Sequence, residues 1–260
     1  SSFLEGKGYD VIPLGRDLFK EDCFDELCRC VESCEVVINL AGASINKRWT
    51  EAYKQELYDS RICVTRQLVH AINTRSVKLE LFISASAVGY YPAFGEYDEY
   101  HDCRGMDFLA RLCGVWEEEA SACSSGVRLV ITRFGVVLSE DGGALKEMLR
   151  LQRFSRVSVV IGNGQQRFPW ISLFDLCRSF GYIIRNRQMR GVVNLVSPDL
   201  ITQKQLAHTL ARADKIRRII PLPKFFFRLK FGEGASFVTK GQTVHPSKLQ
   251  ESGFTYIYPT

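Results

Sequence analysis

Val36-Val37-Ile38-Asn39-Leu40-Ala41-Gly42, followed by Asn46-Lys47-Arg48-Trp49, decides the reading of this chain. An apolar run breaks into small residues just before a helical segment. About forty residues later Leu79–Ser84 repeats the pattern and runs into Ala85-Ser86-Ala87-Val88-Gly89-Tyr90-Tyr91. Parallel α/β sheets present ligands in this way. The crevice lies outside the carboxyl ends of the strands, and small residues there admit a nucleotide to the backbone. Two such strand ends predict a dinucleotide-binding domain.

Working outward, apolar runs at Val11–Leu14, Val36–Leu40, Leu79–Ser84 and Leu129–Phe134 recur with helical segments between them. That alternation is the pattern of a parallel sheet built from βαβ units. Thr50 is a good N-cap for the helix after Trp49. Its inward stripe reads Tyr53, Leu57, Arg61, Val64, Leu68, Ile72, at spacings of three and four. Arg61 therefore falls on a face that should be apolar. Either it reaches over the strand ends to a ligand phosphate or ribose, or it snorkels to solvent or to a carboxylate.

Ser1–Lys7 reads as the last turns of a helix with Gly8 as its C′ residue, and Val11–Leu14 as the next strand. The preceding strand and any glycine-rich turn after it are not in this sequence. A doubly wound sheet lacking them lacks the centre of its core, so the natural chain is expected to extend upstream.

From about residue 140 the character changes. Asp141-Gly142-Gly143 is a turn, Ala144–Phe154 a basic amphipathic helix, and Ser158–Ile161 a short strand closed by Gly162-Asn163-Gly164. Ser172–Asn186 reads as a helix and Gly191–Val196 as a strand, and Thr202 N-caps a helix to about Ala213. We expect these pieces to form a smaller α+β cap over the strand ends, interleaved with late sheet elements. Residues 1–139 are then the dinucleotide-binding region and residues 140–260 the substrate lobe. Pro221–Phe231 is apolar and aromatic, and the three phenylalanines at 225–227 read as core or interface rather than a ligand box.

With 260 residues, 46% hydrophobic and 24% charged, the chain has the size and composition of one α/β domain with a cap. No apolar stretch approaches the roughly 20 residues needed to span a bilayer. Cys28-x-Cys30 and Cys34 form no CxxC pair and have no histidine nearby, which argues against a metal site. Nine cysteines as free thiols fit a reducing intracellular compartment, the cytoplasm or the mitochondrial matrix. Residues 1–139 carry 15 Lys and Arg against 21 Asp and Glu, and residues 140–260 carry 19 against 8. A basic second half points either to an anionic partner (a nucleotide diphosphate, an acidic protein surface or RNA) or to a solvated basic face.

Taken together, these segments resemble the short-chain dehydrogenase/reductase superfamily of extended type, and within it the atypical, sugar-nucleotide-epimerase-like branch. The matching runs are Val37–Gly42, Lys47-Arg48-Trp49, Ser60-Arg61, Gly89-Tyr90-Tyr91, Trp116-Glu117 and Gly135–Leu138. They continue through Gly142-Gly143, Ile161–Gly164, Trp170-Ile171, Asn194–Pro198, Gly241-Gln242, Pro246 and Gly253-Phe254. Order and span make the resemblance specific. It implies a Rossmann-type doubly wound parallel sheet binding NADP(H), with a glycine-rich phosphate loop upstream of Ser1. Arg16 follows the expected second strand, where an arginine can pair with the 2′-phosphate of NADP. Asn39, Leu40, Ala41 and Gly42 would pack on the adenosine side and Ser84, Ala85 and Ser86 on the nicotinamide side. Gly135 and Val136 would give backbone contacts.

The resemblance also implies a catalytic Ser, Tyr and Lys, the lysine lowering the tyrosine pKa for proton transfer. Ser86 matches the serine. The Tyr-x-x-x-Lys segment falls near Asp107–Trp116, where this chain has Phe108 and Leu112, or in the next register Leu109 and Cys113. Tyr90 or Tyr91 would substitute as the acid, or else pack against the cofactor. Other departures are Pro92 after Tyr91, Ser155–Val160 in place of a glycine-rich stretch, and Ser172 to Asp175 in place of a histidine and paired carboxylates. They suggest relaxed constraint on the substrate side. Two expectations follow: an NADP(H)-dependent oxidoreductase or epimerase of a nucleotide-linked or small carbonyl substrate, or a catalytically degenerate subunit of a larger protein or ribonucleoprotein assembly, such as a mitochondrial one.

Overall fold

Strands buried on both faces need apolar side chains in both directions, and the runs around Ile38, Ile83 and Ile131 supply them. The computed structural model describes residues 2–75 and 78–260. In chain order its elements are α1 (Ser2–Glu5), α2 (Phe24–Glu32), β1 (Val36–Asn39), α3 (Glu51–Arg75), β2 (Leu81–Ala87), β3 (Glu96–Tyr97), α4 (Phe108–Ser121), β4 (Arg128–Phe134) and β5 (Val136–Leu138). There follow α5 (Gly143–Ser155), β6 (Val157–Ile161), β7 (Trp170–Ser172), α6 (Leu173–Arg185), β8 (Gly191–Leu195), α7 (Gln203–Ala213), β9 (Arg218–Leu222), α8 (Lys224–Phe231), α9 (Ser236–Thr239), β10 (Thr243–Val244) and α10 (Ser247–Glu251).

The central sheet has the order β1-β2-β4-β8, all parallel. Alternation along β2 sorts the two cores. Phe82 packs with Leu27 and Val31 of α2 and with Leu68 and Ile72 of α3. Leu81 and Ile83 meet Leu176, Phe180 and Ile183 of α6 and Leu249 of α10 on the other face. Helices thus cover both sides, as the doubly wound expectation requires. Three two-stranded parallel ladders, β3–β10, β5–β7 and β6–β9, stand apart from this sheet.

Local chemistry places the helix starts. Thr50 Oγ1 accepts the Tyr53 N–H at 3.2 Å, Ser172 Oγ accepts the Asp175 N–H at 3.0 Å, and Thr202 with Gln205 forms a capping box on α7. At the first helix end, Gly8 takes φ +84° and the Tyr9 N–H reaches back to the Leu4 carbonyl, the Schellman arrangement. Ser1 lies outside the described residues.

Four expectations are corrected. Val11–Leu14 pairs with no strand among the described residues, because no neighbouring strand lies beside it and a lone extended run has no ladder to join. The second key strand extends through Ala87, so Ser84, Ala85 and Ser86 belong to the sheet itself. Phe225 and Phe226 are exposed, which removes the core half of their core-or-interface reading and leaves the interface half. Ser172 and Asp175 lie outside the strand-end cleft described below. Asp175 is fully buried and accepts the N–H groups of Ile257 and Tyr258 at 2.9 and 2.7 Å, together with Arg178 at 2.8 Å. Its polar atoms hold the last residues of the chain against α6.

Candidate active site at the strand ends

A cleft of about 440 Å³ opens where β1, β2 and β4 end. It is lined by Leu40–Asn46, Ala85–Gly89 and Gly135–Val137 at the strand ends, and by Gln166–Pro169, Ser236 and Lys240–Gln242. The Gln242 side chain donates to the Val88 carbonyl at 2.5 Å, joining the last of these segments to the end of β2.

The turn after β1 is shaped from beneath. Asn39 Oδ1 accepts the Ala41 N–H at 3.1 Å, while its Nδ2 donates to Thr65 Oγ1 at 2.8 Å. Thr65 also accepts from Trp116 Nε1 at 2.9 Å. This buried node ties β1, α3 and α4 together and fixes Leu40–Gly42 in an Asx-type turn.

Arg61 rises through that turn. Its guanidinium donates to the carbonyls of Leu57 and Ala43 at 3.1 and 3.0 Å and lies 5.3 Å from the Trp116 ring. Burial lowers its pKa. Among the described residues no carboxylate forms an ion pair with it, so the carboxylate-paired arrangement is not found. A half-buried cation held by two carbonyls and, at 3.4 Å, the Ser60 hydroxyl, all neutral, at the edge of a cleft, is placed to meet an anion.

Ser86 heads a second network. Its hydroxyl donates to Glu117 Oε1 at 2.6 Å, and Arg133 clasps the same carboxylate with Nε and one terminal nitrogen at 2.8 and 2.7 Å. Burial alone would lower the arginine pKa, but the hydrogen bonds and charge of Glu117 outweigh it and raise it. Arg133 lies 3.5 Å from the Tyr90 ring centroid and 4.7 Å from that of Tyr91. Both tyrosine hydroxyls are engaged. Tyr90 donates to Asp102 at 3.1 Å, and Tyr91 lies within 2.9 Å of the Asp98 carbonyl and 3.1 Å of Asn194 Oδ1. Burial raises both tyrosine pKa values, the Asp102 hydrogen bond adding to it at Tyr90. That opposes proton release by either. On the α4 side, Leu109, Leu112, Cys113 and Trp116 line the cleft, and burial pushes the Cys113 thiol up to about 12.

The cleft thus gathers Leu40, Ala41, Gly42, Arg61, Ala85, Ser86, Tyr91, Gly135 and Val136. Asn39 and Ser84 sit buried beneath it, and the Ser84 hydroxyl has no hydrogen-bond partner among the described residues. Tyr90 lies outside the lining. Arg16 is exposed on a 3-10 turn away from the lining, because Val11–Leu14 is not drawn into the sheet. Thr65, Glu117, Arg133 and Asn194 escape a reading of the sequence for site residues. Two of them are signalled by the matched runs, Glu117 in Trp116-Glu117 and Asn194 at the start of Asn194–Pro198.

Residues 3–195 match the NAD dependent epimerase/dehydratase family. The chain belongs to this family. Residues 222–260 match a second family, described as a domain of unknown function (DUF1731). The epimerase family protein SSP1921 of Staphylococcus saprophyticus is 38% identical over 232 residues, covering 88% of this chain and 78% of that protein. Among solved structures, human epimerase family protein SDR39U1 (isoform 2) with NADPH has a TM-score of 0.84 at 33% identity, covering 91% of this chain and 82% of that one. A nucleoside-diphosphate sugar epimerase from Corynebacterium glutamicum has a TM-score of 0.72 at 26% identity, covering 90% of this chain and 45% of that one. The Rossmann-type expectation and the epimerase-like branch both hold for this epimerase/dehydratase chain.

Proposed function

We propose that the strand-end cleft binds NADP(H), and that the chain is an oxidoreductase or epimerase of a nucleotide-linked or small carbonyl substrate. Arg61 carries the reading: a half-buried guanidinium whose partners are two carbonyls and the Ser60 hydroxyl, all neutral, beside a backbone turn of small residues, suits a phosphate. The relative crystallised with NADPH supports the choice of cofactor. Gly42 and Gly135 fit the same purpose, since a Cβ at either would meet Arg61 or the Pro169 carbonyl within 3 Å.

Bound in this cleft, the nicotinamide would supply or accept a hydride. Leu40, Ala41 and Gly42 would seat the adenosine side and Ala85 and Ser86 the nicotinamide side. Ser86 is the one residue of the expected catalytic set that both lines the cleft and is tied to a carboxylate. Its hydrogen is committed to Glu117, so it turns lone pairs toward a bound group and orients a hydroxyl. Arg16 is the residue to test for recognition of the 2′-phosphate. Nine free thiols fit a reducing compartment.

The apolar α4 face favours a second reading, a non-catalytic subunit that keeps the nucleotide as a structural ligand. Phe108 and Leu112 occupy positions that would carry the proton-transfer pair. Titration of the full chain with NADPH and NADH, followed by tryptophan fluorescence, tests the binding step. Binding of NADPH, weakened roughly tenfold or more in Arg61→Ala, is expected. Folded protein that binds neither would refute the reading. Cofactor oxidation with a panel of carbonyl compounds then separates enzyme from subunit.

A further inference from the structure

α8 reads Lys224-Phe225-Phe226-Phe227-Arg228-Leu229-Lys230-Phe231. At about 100° per residue, Phe225, Phe226 and Leu229 share one face, and they are 53%, 45% and 65% exposed. Phe227 and Phe231 fall on the opposite side and are half-buried. Lys224 and Arg228 border the outer apolar face on one flank and Lys230 on the other. β9 leads into this helix and among the described residues pairs with β6 alone; it adds the exposed Arg218 and Ile220, and the exposed Arg217 stands just before it. From Arg217 to Phe231 there are five cations and no acidic residue.

An ordinary surface helix turns its apolar stripe inward and its charges outward. α8 anchors itself with Phe227 and Phe231 and still presents three large apolar side chains to water, rimmed by cations. That is the layout of a helix lying in a bilayer interface. Apolar groups enter the headgroup–acyl boundary, while lysine and arginine extend to lipid phosphates. Two alternatives fit less well. A second copy of the same face would bring five cations against five. A nucleic acid would gain nothing from Leu229 or Ile220, which offer no ring for stacking.

We infer that α8 and the adjoining β9 edge form a peripheral docking surface for anionic phospholipid. No described helix is long and apolar enough to cross a membrane, so the contact is with one leaflet. The surface is separate from the nucleotide reading of the cleft and stands or falls independently of it.

Sedimentation of the full chain with vesicles of phosphatidylcholine alone, or containing phosphatidylserine, tests the inference. Binding is expected only with phosphatidylserine and should weaken as salt rises. Phe225→Ser/Phe226→Ser/Leu229→Ser should weaken it roughly tenfold. Lys224→Glu/Arg228→Glu/Lys230→Glu should weaken it at least about a hundredfold, since each of the three cations near such a surface is worth about fivefold. All six side chains are exposed, and circular dichroism verifies that both variants fold. Failure to bind phosphatidylserine vesicles overturns the inference, as does binding that the serine variant leaves intact. Lipid-free self-association abolished by that variant also overturns it, in favour of a second copy.

Discussion

Gly42 and Arg61 are fitted to each other: a Cβ on Gly42 would lie 2.9 Å from the guanidinium carbon of Arg61. The guanidinium is the far end of a flexible side chain, but two carbonyls hold it in place. Gly42→Ala should push it off Ala43 and cost about 0.5–1.5 kcal/mol in urea unfolding, the worth of one hydrogen bond. NADPH affinity should fall further than stability does, by about tenfold, because the displaced group is the proposed phosphate ligand. Equal affinity in mutant and wild type would remove Arg61 from the binding site.

Thr65 is asked to accept from two buried donors at once. Thr65→Val keeps the shape and removes the acceptor, leaving Asn39 Nδ2 and Trp116 Nε1 unpaired. At about 1–3 kcal/mol for each orphaned group, the loss should be about 2–6 kcal/mol by chemical denaturation. A loss below about 1 kcal/mol would mean that water replaces the hydroxyl.

The Glu117–Arg133 pair is buried on both sides. Glu117→Ala should cost about 3–5 kcal/mol, because it strands a guanidinium in the core. Glu117→Met/Arg133→Met should recover part of that loss, which a double-mutant cycle measures. Recovery will be incomplete, since Arg133 also stacks on Tyr90 and Tyr91.

Glu99 carries a pH signature. Burial raises its pKa from 4.5, only partly countered by the N–H groups of Asn194 and Lys248 that its carboxyl accepts. With a folded pKa above the unfolded one, its contribution is fullest below pH 4.5 and is lost as pH rises through the raised value. The Tm of wild type minus that of Glu99→Gln should therefore decline with increasing pH across that interval. A flat difference would mean that the carboxyl is not held in the raised state.

What the sequence made legible was local. Thr50, Ser172 and Thr202 cap helices by reaching groups three residues away, and the inward stripe of α3 follows from spacing alone. What it hid depends on partners distant in the chain. Val11–Leu14 has strand composition, but composition cannot supply a neighbour to hydrogen-bond. Glu117 and Arg133 meet because α4 packs beside β4, and Asp175 turned out to bind backbone N–H groups of the last residues rather than a substrate. At Arg61 the inward face was legible, whereas its carbonyl partners required the turn after β1 to be in place. The α8 phenylalanines show the same limit, because periodicity gives two apolar faces without saying which is covered.

Gln242 and Val88 are 154 positions apart, and the bond between them has a kinetic consequence. The central sheet can assemble from neighbouring βαβ units, but the lining of the cleft is incomplete until the chain beyond α9 returns to it. Contacts of such long separation form late, after their loop-closure entropy has been met. Ligand affinity should therefore report the last stage of folding. Species that have the sheet but not this closure would be nearly native by circular dichroism and empty of ligand, and a ligand would stabilise the chain by trapping its final docking step.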